Sequence, residues 1–126
     1  SYFEIQGALS SLLRKGVKPI LAHAERYSSL VSDISRVDEL KEMGVLIQIN
    51  AGSIAKMKLG KCAKFIKTLF KRSLVDIVAS DAHDTVSFAP VMSRAYGIIY
   101  KKYGESVARG TCELVPNLIL ENKKVH

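Results

Sequence analysis

Two hydrophobic periodicities alternate along the chain. Segments with apolar residues every three or four positions are separated by short, continuous apolar runs, the marks of amphipathic helices and of buried strands. Phe3, Ile5, Ala8, Leu9, Leu12 and Leu13 share one side of a helix predicted over 3–15, with Gly16 as its stop. A strand is predicted over 18–22. Ser35 is placed to cap a helix that carries Val37, Leu40 and Met43 on its stripe and stops at Gly44. A second strand is predicted over 45–49, a short helix over 51–57, a strongly amphipathic helix over 60–72 and a third strand over 74–79. Residues 80–89 pattern as a loop. Pro90 suits the first turn of a helix running to Tyr103 and ended by Gly104. A further helix is predicted over 105–114, and Pro116 can open a last short one.

Helices between strands imply parallel crossovers, so the fold class is α/β. Three parallel strands with flanking helices match the count of half a β/α barrel. They leave sheet edges that favour a homo-oligomer or a covering segment of the same protein. No repeat or low-complexity linker divides residues 1–126, which are expected to belong to a single domain.

With 126 residues and 48% hydrophobic content, the chain can bury a core. No apolar stretch is long enough for a transmembrane segment, and no signal peptide is visible. The start, Ser1-Tyr2-Phe3-Glu4, has no initiating Met, as expected of a chain that begins within a longer protein or after a cleaved tag. Cys62 and Cys112 are too few for a disulfide framework, Cys62 reads as a small core residue, and a cytoplasmic location is expected.

The net charge of +7 has one source. Lys56, Lys58, Lys61, Lys64, Lys67, Lys71 and Arg72 fall within 56–72, a segment with no acid. The other 12 basic residues balance the 12 acids. This is either the solvated face of a helix whose other side carries Phe65, Ile66, Leu69 and Phe70, or an attractor for phosphorylated, acidic or membrane-surface partners. No interleaved aromatics or motif point to nucleic acid.

Candidate chemistry lies where two apolar runs end. One is Ile20-Leu21-Ala22-His23-Ala24-Glu25-Arg26, the other Val75-Asp76-Ile77-Val78-Ala79-Ser80-Asp81-Ala82-His83. Ligands of α/β folds bind just beyond the carboxyl ends of parallel strands. His and Asp there can hold a metal, and Arg can hold an anion. A lone His beside an apolar run is also commonly a hydrogen-bonded boundary residue, and both readings stay open on these residues alone.

Four segments, in order, resemble one family. Pro19 through Tyr27 is similar to the His-x-Glu-Arg-Tyr segment of the PHP (polymerase and histidinol phosphatase) superfamily, in particular its bacterial metal-dependent protein-tyrosine phosphatases of capsular and exopolysaccharide synthesis. Gln48-Ile49-Asn50 resembles a Gln-x-Asn segment, Ala79 through His83 a final metal motif, and Met92 through Gly104 the helix that follows. The resemblance implies the C-terminal half of a distorted PHP-type β/α barrel, with the N-terminal half absent. By position it implies His23, Asp81 and His83 as ligands of a multinuclear site, usually manganese, and Arg26 as the catalytic and substrate-binding contact to phosphate. Glu25 receives no metal role, and Asn50 is expected to shape the strand end.

Two departures accompany the resemblance. The family's amino-terminal His-x-His and further His and Glu ligands have no counterpart here, so the metal site is expected to be incomplete. Phe88 stands where an Arg is expected, and Asp84 replaces a common Asn. The implied activity is metal-dependent phosphoester hydrolysis, on a phosphotyrosine protein such as a tyrosine kinase, in the full-length form. A non-catalytic regulatory module of the same fold and a phosphatase of small phosphate monoesters are the alternatives.

Overall fold

Ile47 and Ile49 are fully buried, while Leu46 and Gln48 between them are only half-buried. That alternation belongs to a strand whose two faces differ in cover. The strand is β2 (Leu46–Asn50), the centre of a sheet that also contains β1 (Ile20–Leu21) and β3 (Ile77–Ala79). The order is β1-β2-β3 and both pairings are parallel. Leu21 pairs with Ile47, and Asn50 with Ala79. The computed structural model of the chain describes residues 1–57, 59–80 and 90–116. Asp81, His83, Asp84 and Phe88 lie outside these residues.

Seven α-helices are described: α1 (Tyr2–Arg14), α2 (Ser28–Val31), α3 (Ser35–Met43), α4 (Ala51–Ala55), α5 (Lys61–Lys71), α6 (Pro90–Tyr103) and α7 (Glu105–Arg109). The helix predicted over 60–72 is α5, and Phe65, Ile66, Leu69 and Phe70 are buried as its period requires. α6 packs against α4 and α7, and the ring of Tyr103 at its end stacks on Phe70 of α5 at 5.0 Å. Lys41 of α3 pairs with Asp76, whose carboxylate also accepts the Ile47 N–H at 2.8 Å. One half-buried carboxylate thus ties α3 to the start of β3 and to β2.

Several expectations need correction. The first strand is shorter than 18–22, because the chain turns out of the sheet at Ala22 and His23. Ser35 is the first helical residue of α3 rather than its cap. The Asp33 carboxylate accepts the Ser35 backbone N–H at 3.1 Å and the Ser35 hydroxyl, filling the capping role two residues earlier. The helix predicted over 105–114 changes to a π-helical turn at Gly110–Leu114. Phe3 is 73% exposed, and Tyr2 is buried in its stead beneath the Arg36 guanidinium, 4.8 Å from the ring centre. Cys62 is exposed rather than a core residue, while Cys112 is buried. A helix opening at Pro116 would run into residues that are not described. No described helix is long and apolar enough to cross a membrane.

Candidate active site

The carboxyl ends of the three parallel strands lie at one end of the sheet. Beyond β1 the chain makes a 3-10 turn, Ala24–Arg26, preceded by His23 in the left-handed region at φ 54° and ψ 47°. That conformation reverses the backbone, burying Glu25 and leaving Arg26 exposed. Glu25 is 6% exposed, and its carboxylate accepts the Asn50 backbone N–H at 3.2 Å and the Ser53 hydroxyl. It therefore pins the turn after β1 to the end of β2 and the start of α4. A buried carboxylate is tolerable where hydrogen bonds of this kind satisfy it.

Asn50 acts through both ends of its amide. Oδ1 accepts the Gly52 N–H at 2.6 Å and caps α4. A β-carbon at Gly52 would stand 3.0 Å from that oxygen, so glycine keeps the cap uncrowded. With Oδ1 so engaged, the amide NH2 faces His23 Nδ1 at 3.3 Å and donates to it. Asn50 thus shapes the strand end, as expected, and also orients the His23 ring.

Arg26, Asn50, Ser53, Lys56, Met57 and Cys62 line an open cleft of about 490 Å³, with Leu59 and Ile66 on the same wall. Arg26 and Lys56 supply positive charge, Met57 and Leu59 supply apolar surface, and the buried Ile66 backs the wall. Desolvation by the cleft wall, more than the Glu25 charge, pushes the thiol of the otherwise exposed Cys62 up, which keeps it protonated near neutrality.

Of the sequence-predicted residues, His23 and Arg26 come together on one turn at the mouth of the sheet. β3 ends with Ala79 beside Asn50, at this same end of the sheet. Among the described residues no three His, Cys, Asp or Glu side chains converge on a metal position. The residue types nevertheless suit a divalent ion: the His23 imidazole, with a carboxylate and a second imidazole following β3 in sequence, although ligation through His23 Nε2 requires the Asn50 contact to Nδ1 to give way so that the ring proton can leave Nε2. Two roles escaped the sequence. Glu25 acts on partners 25 and 28 residues away, and Lys56 reaches the cleft because α4 folds back from Asn50. The Asn-x-Gly cap signal at Asn50-Ala51-Gly52 could have located α4, and hence Lys56.

Comparisons with known proteins identify the family and the fold. A family model described as capsular polysaccharide synthesis, CpsB/CapC, matches residues 1–121. The tyrosine-protein phosphatase CpsB of Streptococcus pneumoniae is 43% identical over 114 residues, 86% of this chain and 47% of that protein. The tyrosine-protein phosphatase YwqE of Bacillus subtilis (strain 168) is 28% identical over 111 residues, 88% of this chain and 41% of that protein. A solved structure from work on YwqE of Bacillus subtilis and CpsB of Streptococcus pneumoniae, described there as unique metal-dependent tyrosine phosphatases, superposes with a TM-score of 0.68. It is 26% identical, and the match covers 96% of this chain and 46% of the other. The chain spans about half the length of the curated relatives it matches. The α/β architecture expected from the sequence, with its three parallel strands, is borne out.

Proposed function

Because this chain belongs to the CpsB/CapC family of capsular polysaccharide synthesis, we propose that it forms part of a metal-dependent protein-tyrosine phosphatase regulating capsular or exopolysaccharide production. The observation that carries the reading is the turn after β1, which sets His23 and Arg26 beside an open cleft of about 490 Å³. The reaction is hydrolysis: water adds at phosphorus, the bond to the phenolic oxygen breaks, and tyrosine and inorganic phosphate are released. Its substrate is a cytoplasmic phosphotyrosine protein, with a tyrosine kinase as the candidate partner.

Arg26 offers a planar donor fork to two phosphate oxygens, a geometry that suits a dianionic monoester. Asn50 holds the His23 ring, and Glu25 holds the turn that carries both His23 and Arg26. Met57 and Leu59 give the phenyl ring an apolar seat. His23, Asp81 and His83 would hold the metal, with manganese the first choice; further ligands come from the rest of the full-length protein or from a second copy. When bound, a divalent ion supplies Lewis-acid polarisation of a phosphoryl oxygen.

The test is turnover by the full-length protein of a phosphotyrosine peptide, its phosphoserine counterpart and p-nitrophenyl phosphate, with manganese and with a chelator. Release of phosphate from the two aryl esters, lost on chelation, is expected. Equal turnover of phosphoserine would favour a small-monoester phosphatase. No turnover of any ester with metal supplied would reject the enzyme reading.

A further inference from the structure

The unbalanced positive charge of 56–72 adjoins the candidate site. Lys56 lines the same cleft as Arg26. Lys61 and Lys64 are exposed on the first turns of α5, whose Cys62 and Ala63 line that cleft, and Lys67 and Lys71 continue along the exposed side. Arg72 pairs with Asp38. None of Lys56, Lys61, Lys64, Lys67 and Lys71 pairs with a carboxylate among the described residues. A helix face that only had to be soluble could carry both signs of charge. This one holds a single sign, beside a concave site.

We propose that this wall of the cleft is a specificity surface for peptide substrates, selecting phosphotyrosine flanked by acidic residues. Lys56 contacts a carboxylate next to the phosphotyrosine, and the α5 lysines supply the longer-range field that steers the acidic segment in. The inference rests on the phosphatase reading and names its substrate class more closely. Two observations favour a peptide over a lipid surface. Lys56 lines the same open cleft as Arg26, and Met57 and Leu59 line it too, giving an aryl side chain apolar contact beside the cation. Leu59, 96% exposed, is available for such contact.

Three phosphotyrosine peptides with Glu, Gln or Lys flanks and otherwise identical sequence test it, using the metal-loaded full-length protein. The account expects kcat/KM to rank Glu above Gln above Lys, through KM rather than kcat. The span is about tenfold at low salt for two flanking charges, and it shrinks as salt screens the field. Lys56→Glu should flatten or invert the ranking, a change in selectivity that loss of stability alone would not produce. Fluorescence anisotropy with the same labelled peptides keeps the two readings apart. Turnover with no dependence on the flanks, in wild type and in Lys56→Glu, overturns the specificity surface and leaves the phosphatase standing. Binding in the order Glu, Gln, Lys without any turnover would sink the phosphatase and keep the acidic-peptide surface. Flank-independent binding together with cosedimentation on phosphatidylglycerol vesicles would assign the lysines to a membrane and overturn the proposal.

Discussion

At His23 the backbone occupies a region where a β-carbon crowds the following carbonyl, at a cost of roughly 1–2 kcal/mol. The conformation persists because Glu25, two residues on, is fastened to Asn50 and Ser53. Two outcomes follow at this scale. His23→Gly and His23→Ala both remove the imidazole, but His23→Gly should be the more stable by about 1 kcal/mol, since only glycine is free of the left-handed penalty. Urea unfolding of the two variants measures the gap. Glu25→Ala strands the buried Asn50 N–H and should destabilise by about 1–3 kcal/mol. The same variant should impair turnover, because the turn carrying Arg26 loses its anchor. A Glu25→Ala protein as stable and as active as wild type would contradict the scaffold role.

Element by element, the sequence was legible where periodicity was strong and silent where distant contacts decide. α5 and β2 could be read because burial follows their own period: Phe65, Ile66, Leu69 and Phe70 on one, Ile47 and Ile49 on the other. The turn at 24–26 and the short helix α2 had no signal, since each owes its shape to the reversal at His23 and to packing against β2 and α5. Phe3 was misplaced because Tyr2, one position away, found the Arg36 guanidinium. The start of α3 was misjudged because Asp33 and Ser35 both have capping chemistry, and only geometry shows which accepts. Its hydrogen bonds from Ser35 hold the Asp33 carboxyl below the usual carboxylate range, with Arg36 adding a smaller push the same way. A carboxyl depressed in the folded state contributes stability above its unfolded value, and the contribution is lost as pH falls through the folded value. Asp33→Asn should therefore lower the urea midpoint at pH 7 and leave a smaller difference from wild type near pH 2. An unchanged difference across that range would show that Asp33 acts as a neutral cap only.

For the whole molecule, parallel order is what matters, because it brings the carboxyl ends of β1, β2 and β3 to one end of the sheet. That convergence followed from alternating helices and strands. The cleft did not, since its far wall is built by α4 and α5. Glu25 and Asn50 position the turn, and in the proposed function Arg26 is the anion contact. The most direct test of this account is kcat/KM for a phosphotyrosine peptide, with manganese, for the full-length protein and for Arg26→Ala and Arg26→Lys. The account predicts a loss of about a hundredfold or more for Arg26→Ala, with Arg26→Lys recovering only part of it, since a point charge cannot replace the bidentate fork. Activity within twofold of wild type in Arg26→Ala would contradict the placement of phosphate beside the turn after β1.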